Sequence, residues 1–304
     1  SVPFIGLSAT PWTRGLGKYF DSLLVAATTS ELIEQGYLSR FRVFATGHPD
    51  LSKVKTVAGD YHEGELSTAM QQGELTADIV RTWQEKFGKG KTLCFGVDKA
   101  HAKSIQERFQ AAGISCGYQD ADTTPDERRE IKRKFHNGEY LVVSNIQTLT
   151  TGVDWDVRCL ILARPTRSEM LYVQIIGRAL RTADGKSEAL ILDHSDTTMR
   201  LGFVTDIHHE HLNNGTPADK AAAREAEKSA PPLPKECKSC GVIKPARVRI
   251  CPNCGQAPKV ESSVIERDGD LVEVTGGGKK QRAKSRPAAD YSAAERKVFL
   301  AELK

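Results

Sequence analysis

Gln174-Ile175-Ile176-Gly177-Arg178-Ala179-Leu180-Arg181 is the stretch that decides how this chain is read. Gln, Gly, Arg and Arg stand at offsets 0, 3, 4 and 7, a spacing that lines up Gln174, Arg178 and Arg181 along one face of a helix. A guanidinium is a rigid, permanently charged fork, so two of them one turn apart suit a phosphate whose charge grows during reaction. A solvated amphipathic helix would also turn arginines outward. Gly177, Gln174 one turn ahead of the first arginine, and the loop Thr150-Thr151-Gly152-Val153-Asp154 upstream favour the phosphate reading.

Working outward, the pattern becomes regular from Lys91. Apolar runs at 92–97, 114–118, 140–145, 158–162 and 188–193 read as strands, and amphipathic runs at 75–87, 99–112 and 125–136 read as helices. Gly113 and Asn137-Gly138 supply stops. Strands and helices alternating at this pitch imply an α/β fold, a parallel sheet with helices on both faces. Function in such sheets collects at the carboxyl ends of the strands. The 150–154 loop and the loop before the arginine helix both belong to that edge. Upstream, 41–45 reads as a strand, 30–36 as a short helix capped by Ser30, and 51–73 as a loop with one helix.

These residues resemble motifs V and VI of superfamily 2 helicases of the DEAD/DEAH type, within their second RecA-like domain. At the start of the chain, an apolar strand at 4–7 running into Ser8-Ala9-Thr10 is similar to motif III, and the resemblance spans about residues 1–210. It implies that Arg178 and Arg181 meet the γ-phosphate of ATP and that Gln174 positions water or nucleotide. It further implies that Gly152 and Asp154 serve the nucleotide, with Gly152 also letting the backbone approach a phosphate closely. Ser8, Thr10, Thr150 and Thr151 would couple hydrolysis to nucleic acid. Taken alone, Asp154 suits a turn cap, Thr151 a loop and Ser-Ala-Thr-Pro a strand end. Val153 and Trp155-Asp156 stand where Phe and Ala-Pro are expected for the bacterial RadD-like repair helicases, which points to their phage-encoded relatives.

The chain contains no G-x-x-x-x-G-K-[ST] loop and no D-E-x-x sequence for Mg²⁺. Gly15-Leu16-Gly17-Lys18 lacks the Ser or Thr, and Gly90-Lys91-Thr92 enters a strand rather than opening a helix. The expectation is therefore a C-terminal portion: 1–40 closing a first RecA-like domain, 41–215 forming the second, and the missing N-terminal domain holding most of the ATP and Mg²⁺. Alone, the portion should not hydrolyse ATP.

Beyond the motor motifs, an Ala-, Lys- and Glu-rich linker at 216–234 leads to Cys237-Lys-Ser-Cys240 and Cys251-Pro-Asn-Cys254. Two C-x-x-C knuckles, each followed by glycine, have the form of a tetrahedral Zn²⁺ ribbon, here assigned with a hairpin to 235–275. The ribbon could bind nucleic acid through Lys238, Lys244, Arg247 and Arg249, or brace the motor. Residues 276–304 read as a basic tether and the start of a helix. His208, His209 and His211 read as a solvated helix end, and Asp193-His194-Ser195 as a polar strand-end loop rather than a hydrolase triad.

The totals agree: 304 residues, net charge +4, 39% apolar and 27% charged residues, and no apolar run of membrane-spanning length. They imply a soluble, cytoplasmic protein with a DNA or RNA partner and no membrane. Rival functions are a non-enzymatic zinc-ribbon nucleic-acid-binding or scaffold protein on a degenerate motor domain, and a restriction-type translocase subunit.

Overall fold

A computed structural model describes residues 4–45, 49–57, 59–70, 73–150, 154–217, 219 and 232–257. Thr151, Gly152, the hairpin expected at 260–274 and the tail at 276–304 lie outside the described residues. In chain order the elements are α1 (Thr29–Glu34), β1 (Arg40–Ala45), β2 (Thr56–Val57), β3 (Asp60–Tyr61), α2 (Glu63–Met70) and α3 (Gly73–Lys86). Then come β4 (Thr92–Phe95), α4 (Lys99–Ala111), β5 (Cys116–Gln119), α5 (Pro125–His136), β6 (Val142–Asn145) and β7 (Cys159–Leu162). The last are α6 (Glu169–Leu180), β8 (Glu188–Asp193), α7 (Thr197–Leu201), β9 (Lys235–Glu236) and β10 (Ile243–Lys244).

Six strands form one parallel sheet in the order β1-β8-β7-β4-β6-β5. Period-two alternation divides its side chains between two buried layers. Leu93, Phe95, Leu160 and Leu162 join the layer covered by α5 and α6, through Phe135, Tyr172 and Ile176. Cys94, Cys159 and Ile161 join the layer covered by α3 and α4, through Trp83, Ile105 and Phe109. This is the RecA-like arrangement. The three single cysteines Cys94, Cys116 and Cys159 are buried small hydrophobes, and burial raises all three thiols.

Helix starts follow reciprocal capping. Thr124 accepts from the Glu127 amide while the Glu127 carboxylate accepts from Thr124, with Pro125 in the first turn. In α1 the cap is Thr28, not Ser30: Glu31, three residues on, accepts from the Thr28 amide at 2.7 Å and completes the same box. The 51–73 segment holds the short hairpin β2-β3 as well as a helix. Residues 4–7 are not in a strand; Phe4, Ile5 and Leu7 are 80–95% exposed. An apolar run becomes a strand only beside a partner edge. Among the described residues, no helix is long and apolar enough to cross a membrane.

Two buried histidines make acid stability testable. His101, in the first turn of α4, accepts from the Val97 amide at 3.3 Å, and burial lowers its pKa to about 4 against an opposing pull from Asp98. Burial likewise lowers His194 to about 3, opposed by Asp193. The unfolded chain therefore binds more protons below the ordinary 6.5, so stability is complete above that pH and is lost as pH falls towards 4. The melting temperature should drop through that window, and His101→Gln, which keeps an acceptor for Val97, should flatten the slope.

Candidate functional site

Helix α6 is placed by its apolar face. Tyr172, Ile175, Ile176, Ala179 and Leu180 recur at helical spacing and are all buried, and Ser168 caps the start by accepting from the Leu171 amide at 3.3 Å. That leaves Gln174 and Arg178 on the half-buried flank. The helix ends at Leu180; Arg181 is its C-cap, with extended backbone (φ −62, ψ 138). The expectation that Gln174, Arg178 and Arg181 share one helical face is thus corrected at Arg181. Its backbone is held by a bridge to Leu38 and by a hydrogen bond from Ser39 Oγ to its carbonyl at 3.1 Å, which draws the chain out of the helix.

The extended cap turns the Arg181 side chain towards Asp154, with its Nη1 2.6 Å from Asp154 Oδ1. Arg178 stands beside both: burial and then the like charge of Arg181 lower its pKa, while Asp154 raises it. Asp154 is 88% exposed, so its pairing with Arg181 is worth only about 0–1 kcal/mol and is readily exchanged for a stronger anion. The site brings two guanidiniums together with the exposed Asp154 carboxylate beside them.

Gln174 connects this helix to the start of the chain, its Nε2 donating to Thr10 Oγ1 at 3.1 Å; Thr10 is buried. Ser8 is exposed, and its Oγ accepts from the Thr10 amide. Nothing local in the sequence pointed to a second link. Trp12 stacks on His209 with ring centroids 4.9 Å apart, and His209 Nε2 lies 2.8 Å from Glu169 Oε2 in the first turn of α6. The segment around His209 is not helical; His208 and His211 are exposed as expected, while His209 is half-buried against Trp12. Of these three, Trp12 lies nearest a motif, two residues past Thr10, but partners about 200 residues apart carry no periodic signal.

Thr150 is buried, its amide donating to the Gln147 carbonyl at 3.1 Å, and Gln147 has a left-handed backbone (φ 53). With its amide oxygen turned to Arg164, Gln147 accepts from both terminal nitrogens at 2.8 and 2.9 Å, while Arg164 also donates to the Val97 carbonyl. An open cleft of about 690 Å³ lies at the carboxyl ends of β4, β5 and β6, lined by Asp98, Lys99, Asp120, Gln147 and Thr148 among others. The cleft thus lies at the carboxyl edge of the sheet.

The four remaining cysteines converge. Among the described residues, Cys237, Cys240, Cys251 and Cys254 are the one cluster able to hold a metal, with all four sulfurs within 4.8 Å of one another. Cys237 Sγ lies 3.8 Å from Cys254 Sγ, and Cys240 Sγ 3.7 Å from Cys251 Sγ. Regular tetrahedral Zn²⁺ with bonds of about 2.3 Å separates its sulfurs by about 3.8 Å, so the donor set fits zinc. The knuckles are built alike. Gly241 donates to the Cys237 carbonyl and Gly255 to the Cys251 carbonyl, each at 2.9 Å, with φ of +75 and +71. Left-handed backbone at those two turns is what glycine permits. Amides of Ser239 and then Cys240 lower the Cys237 thiol, whereas the pull of the Gln256 amide on Cys254 is outweighed by burial and the neighbouring thiols, which raise it, as expected of four thiols sharing one point.

Residues 74–183 match the helicase conserved C-terminal domain. IRC3 of Saccharomyces cerevisiae, provisionally named an ATP-dependent helicase, is 37% identical over 201 residues, covering 63% of this chain and 29% of the yeast protein. A 51.5 kDa protein of a Lactococcus phage is 26% identical over 280 residues, covering 90% of this chain and 60% of the phage protein. UvrABC system protein B of Mycoplasma mobile is 30% identical over 128 residues, covering 40% of this chain and 19% of that protein. The chain thus spans less than two thirds of each of these relatives. The fold is shared with a fragment named as an HsdR subunit of a type I restriction enzyme from Vibrio vulnificus. That match has a TM-score of 0.53 and 19% identity over 66% of this chain and 40% of the fragment. Residues 74–183, which hold β4 to β7 and the arginine helix α6, are thus similar to the conserved C-terminal domain of helicases.

Proposed function

We propose that the chain is the arginine-bearing lobe of an ATP-dependent superfamily 2 DNA helicase or translocase, akin to RadD-like repair helicases and their phage relatives. The observation that carries this is the meeting of Arg178, Arg181 and Asp154 at the end of α6. ATP·Mg²⁺ would be held chiefly by a phosphate-loop lobe, a motif this sequence does not contain. Closure of the two lobes brings Arg178 and Arg181 to the γ-phosphate, releasing Arg181 from Asp154, and hydrolysis reopens the cleft with a shift of grip along the strand. In this reading Thr151 would touch a DNA phosphate, Gly152 would let the backbone approach it closely and serve the nucleotide, Thr150 would couple hydrolysis to DNA, and Asp154 would serve nucleotide binding and coupling. Residues 1–40 then close the first lobe, 41–215 form the second, 235–275 the zinc module and 276–304 a basic tether.

The deciding measurement is DNA-stimulated ATP hydrolysis by the whole protein. Its absence, with DNA binding retained, would leave a nucleic-acid-binding scaffold on a degenerate motor. Within that assay Gln174 has its own expected result. Its bond to Thr10 ties the arginine helix to the Ser8–Thr10 segment, and a hydrogen bond of this kind is worth about 0.5–1.5 kcal/mol. Gln174→Ala should lower DNA-stimulated turnover by about 3- to 10-fold. Thr10→Val should reproduce the loss, and the double variant should add little to either.

A further inference from the structure

We infer that the four-cysteine centre is a metal-dependent clasp for the free edge of the helicase sheet, an inference that rests on its reading as a zinc site. β1 is the outermost strand on its side, with β8 as its neighbour. An unpaired edge leaves amides and carbonyls without ladder partners. Here the first knuckle takes that place. The Ala45 amide donates to the Gly241 carbonyl at 3.0 Å, and Phe44 forms an antiparallel bridge with Val242.

Consecutive residues of the knuckle then extend both buried layers of the sheet. Val242, Cys237 and Cys251 pack with Phe44 in one, and Ile243 packs with Val43 and Ala45 in the other. That is the alternation a further strand would supply. The second knuckle grips from the side: Arg42 Nη1 donates to Asn253 Oδ1 at 2.7 Å, while Arg42 Nε reaches Glu188 Oε1 at 2.9 Å on β8. Lys86, at the end of α3, stands over the Phe44 ring at 5.2 Å and donates to the Cys240 carbonyl. Lys244 donates to the Arg249 carbonyl at 2.8 Å, tying the two knuckles together.

A segment this small has no independent core, so the metal fixes its shape and the sheet edge receives that shape. The clasped strand also leads back to the arginines. Ser39, just before β1, donates its amide to the Leu180 carbonyl and its hydroxyl to that of Arg181.

The test is hydrogen–deuterium exchange on the whole chain, as purified, after zinc removal with a chelator and after zinc is restored. One equivalent of zinc is expected. Its removal should speed exchange in the 41–45 segment about tenfold or more, with protection in β4 at 92–95 retained. The melting temperature should fall by about 5–10 °C, and added zinc should reverse both changes. Val242→Ala, which keeps all four thiols, should retain the metal and show a smaller increase at 41–45. Absence of bound zinc would remove the metal reading itself. Bound zinc whose removal leaves 41–45 unchanged would overturn the clasp alone, as would loss of protection spread equally over β1 and β4.

Discussion

Arg178→Ala and Arg181→Ala are each expected to lower DNA-stimulated ATP turnover by the whole protein about 10³-fold or more while leaving the fold intact. The size follows from the role proposed for the guanidinium. Charge develops on the transferring phosphoryl group, and a cation already aimed at it acts without reorganisation. The sparing of the fold follows from where each arginine sits. Arg178 occupies the half-buried flank of α6, opposite the face formed by Tyr172, Ile176 and Leu180, and alanine is the best helix former. Arg181 gives up only its pairing with an exposed Asp154, and its backbone bonds to Leu38 and Ser39 are untouched. Melting temperatures should therefore stay within about 3 °C of the parent, a shift of about 1 kcal/mol. Arg181→Lys keeps the charge but not the fork and should recover only part of the turnover. Near-parent turnover in either alanine variant would end the arginine assignment.

The sheet and its helices were legible because their causes are local. Period-two runs at 92–95, 142–145, 159–162 and 188–193 became strands, and the box from Thr124 to Glu127 set the start of α5 to the residue. The cysteine spacing was equally readable, since two short knuckles can aim four thiolates at one point. Misreadings arose where a distant partner decides. Arg181 looks helical by spacing, yet Leu38 and Ser39 pull its backbone into an extended cap. The apolar 4–7 run looks like a strand, yet no strand forms there. Trp12, Glu169 and His209 meet only through tertiary packing. The bridge between Val242 and Phe44 was equally out of reach, because pairing with β1 is not written in the knuckle's own residues.

Asp193→Ala is expected to destabilise the protein by about 3 kcal/mol and lower its melting temperature by about 6–12 °C. The carboxylate is fully buried at the end of β8. Its Oδ1 accepts from the Ser195 amide at 2.9 Å and the Ser195 hydroxyl at 2.6 Å, and its Oδ2 from the Thr198 amide at 2.7 Å. Alanine would strand the Ser195 and Thr198 amides away from water and take from the Ser195 hydroxyl its charged acceptor. The same bonds dispose of a hydrolase triad at Asp193-His194-Ser195, because the buried Ser195 hydroxyl is spent on Asp193 and lies 2.8 Å from Thr197 Oγ1. Ser195→Ala removes one of the three bonds and should cost about 1 kcal/mol. The loop that Asp193 organises also reaches the arginine helix: Thr197 Oγ1 accepts from the Thr166 amide, and the Tyr172 hydroxyl of α6 donates to Thr198 Oγ1 at 3.0 Å. Loosening it should let α6 drift, so ATP turnover in Asp193→Ala falls together with stability, whereas the arginine variants lose turnover alone. Calorimetry alongside the ATPase assay separates the two cases. Lost turnover at an unchanged melting temperature would mean that the carboxylate acts on the substrate rather than on the loop.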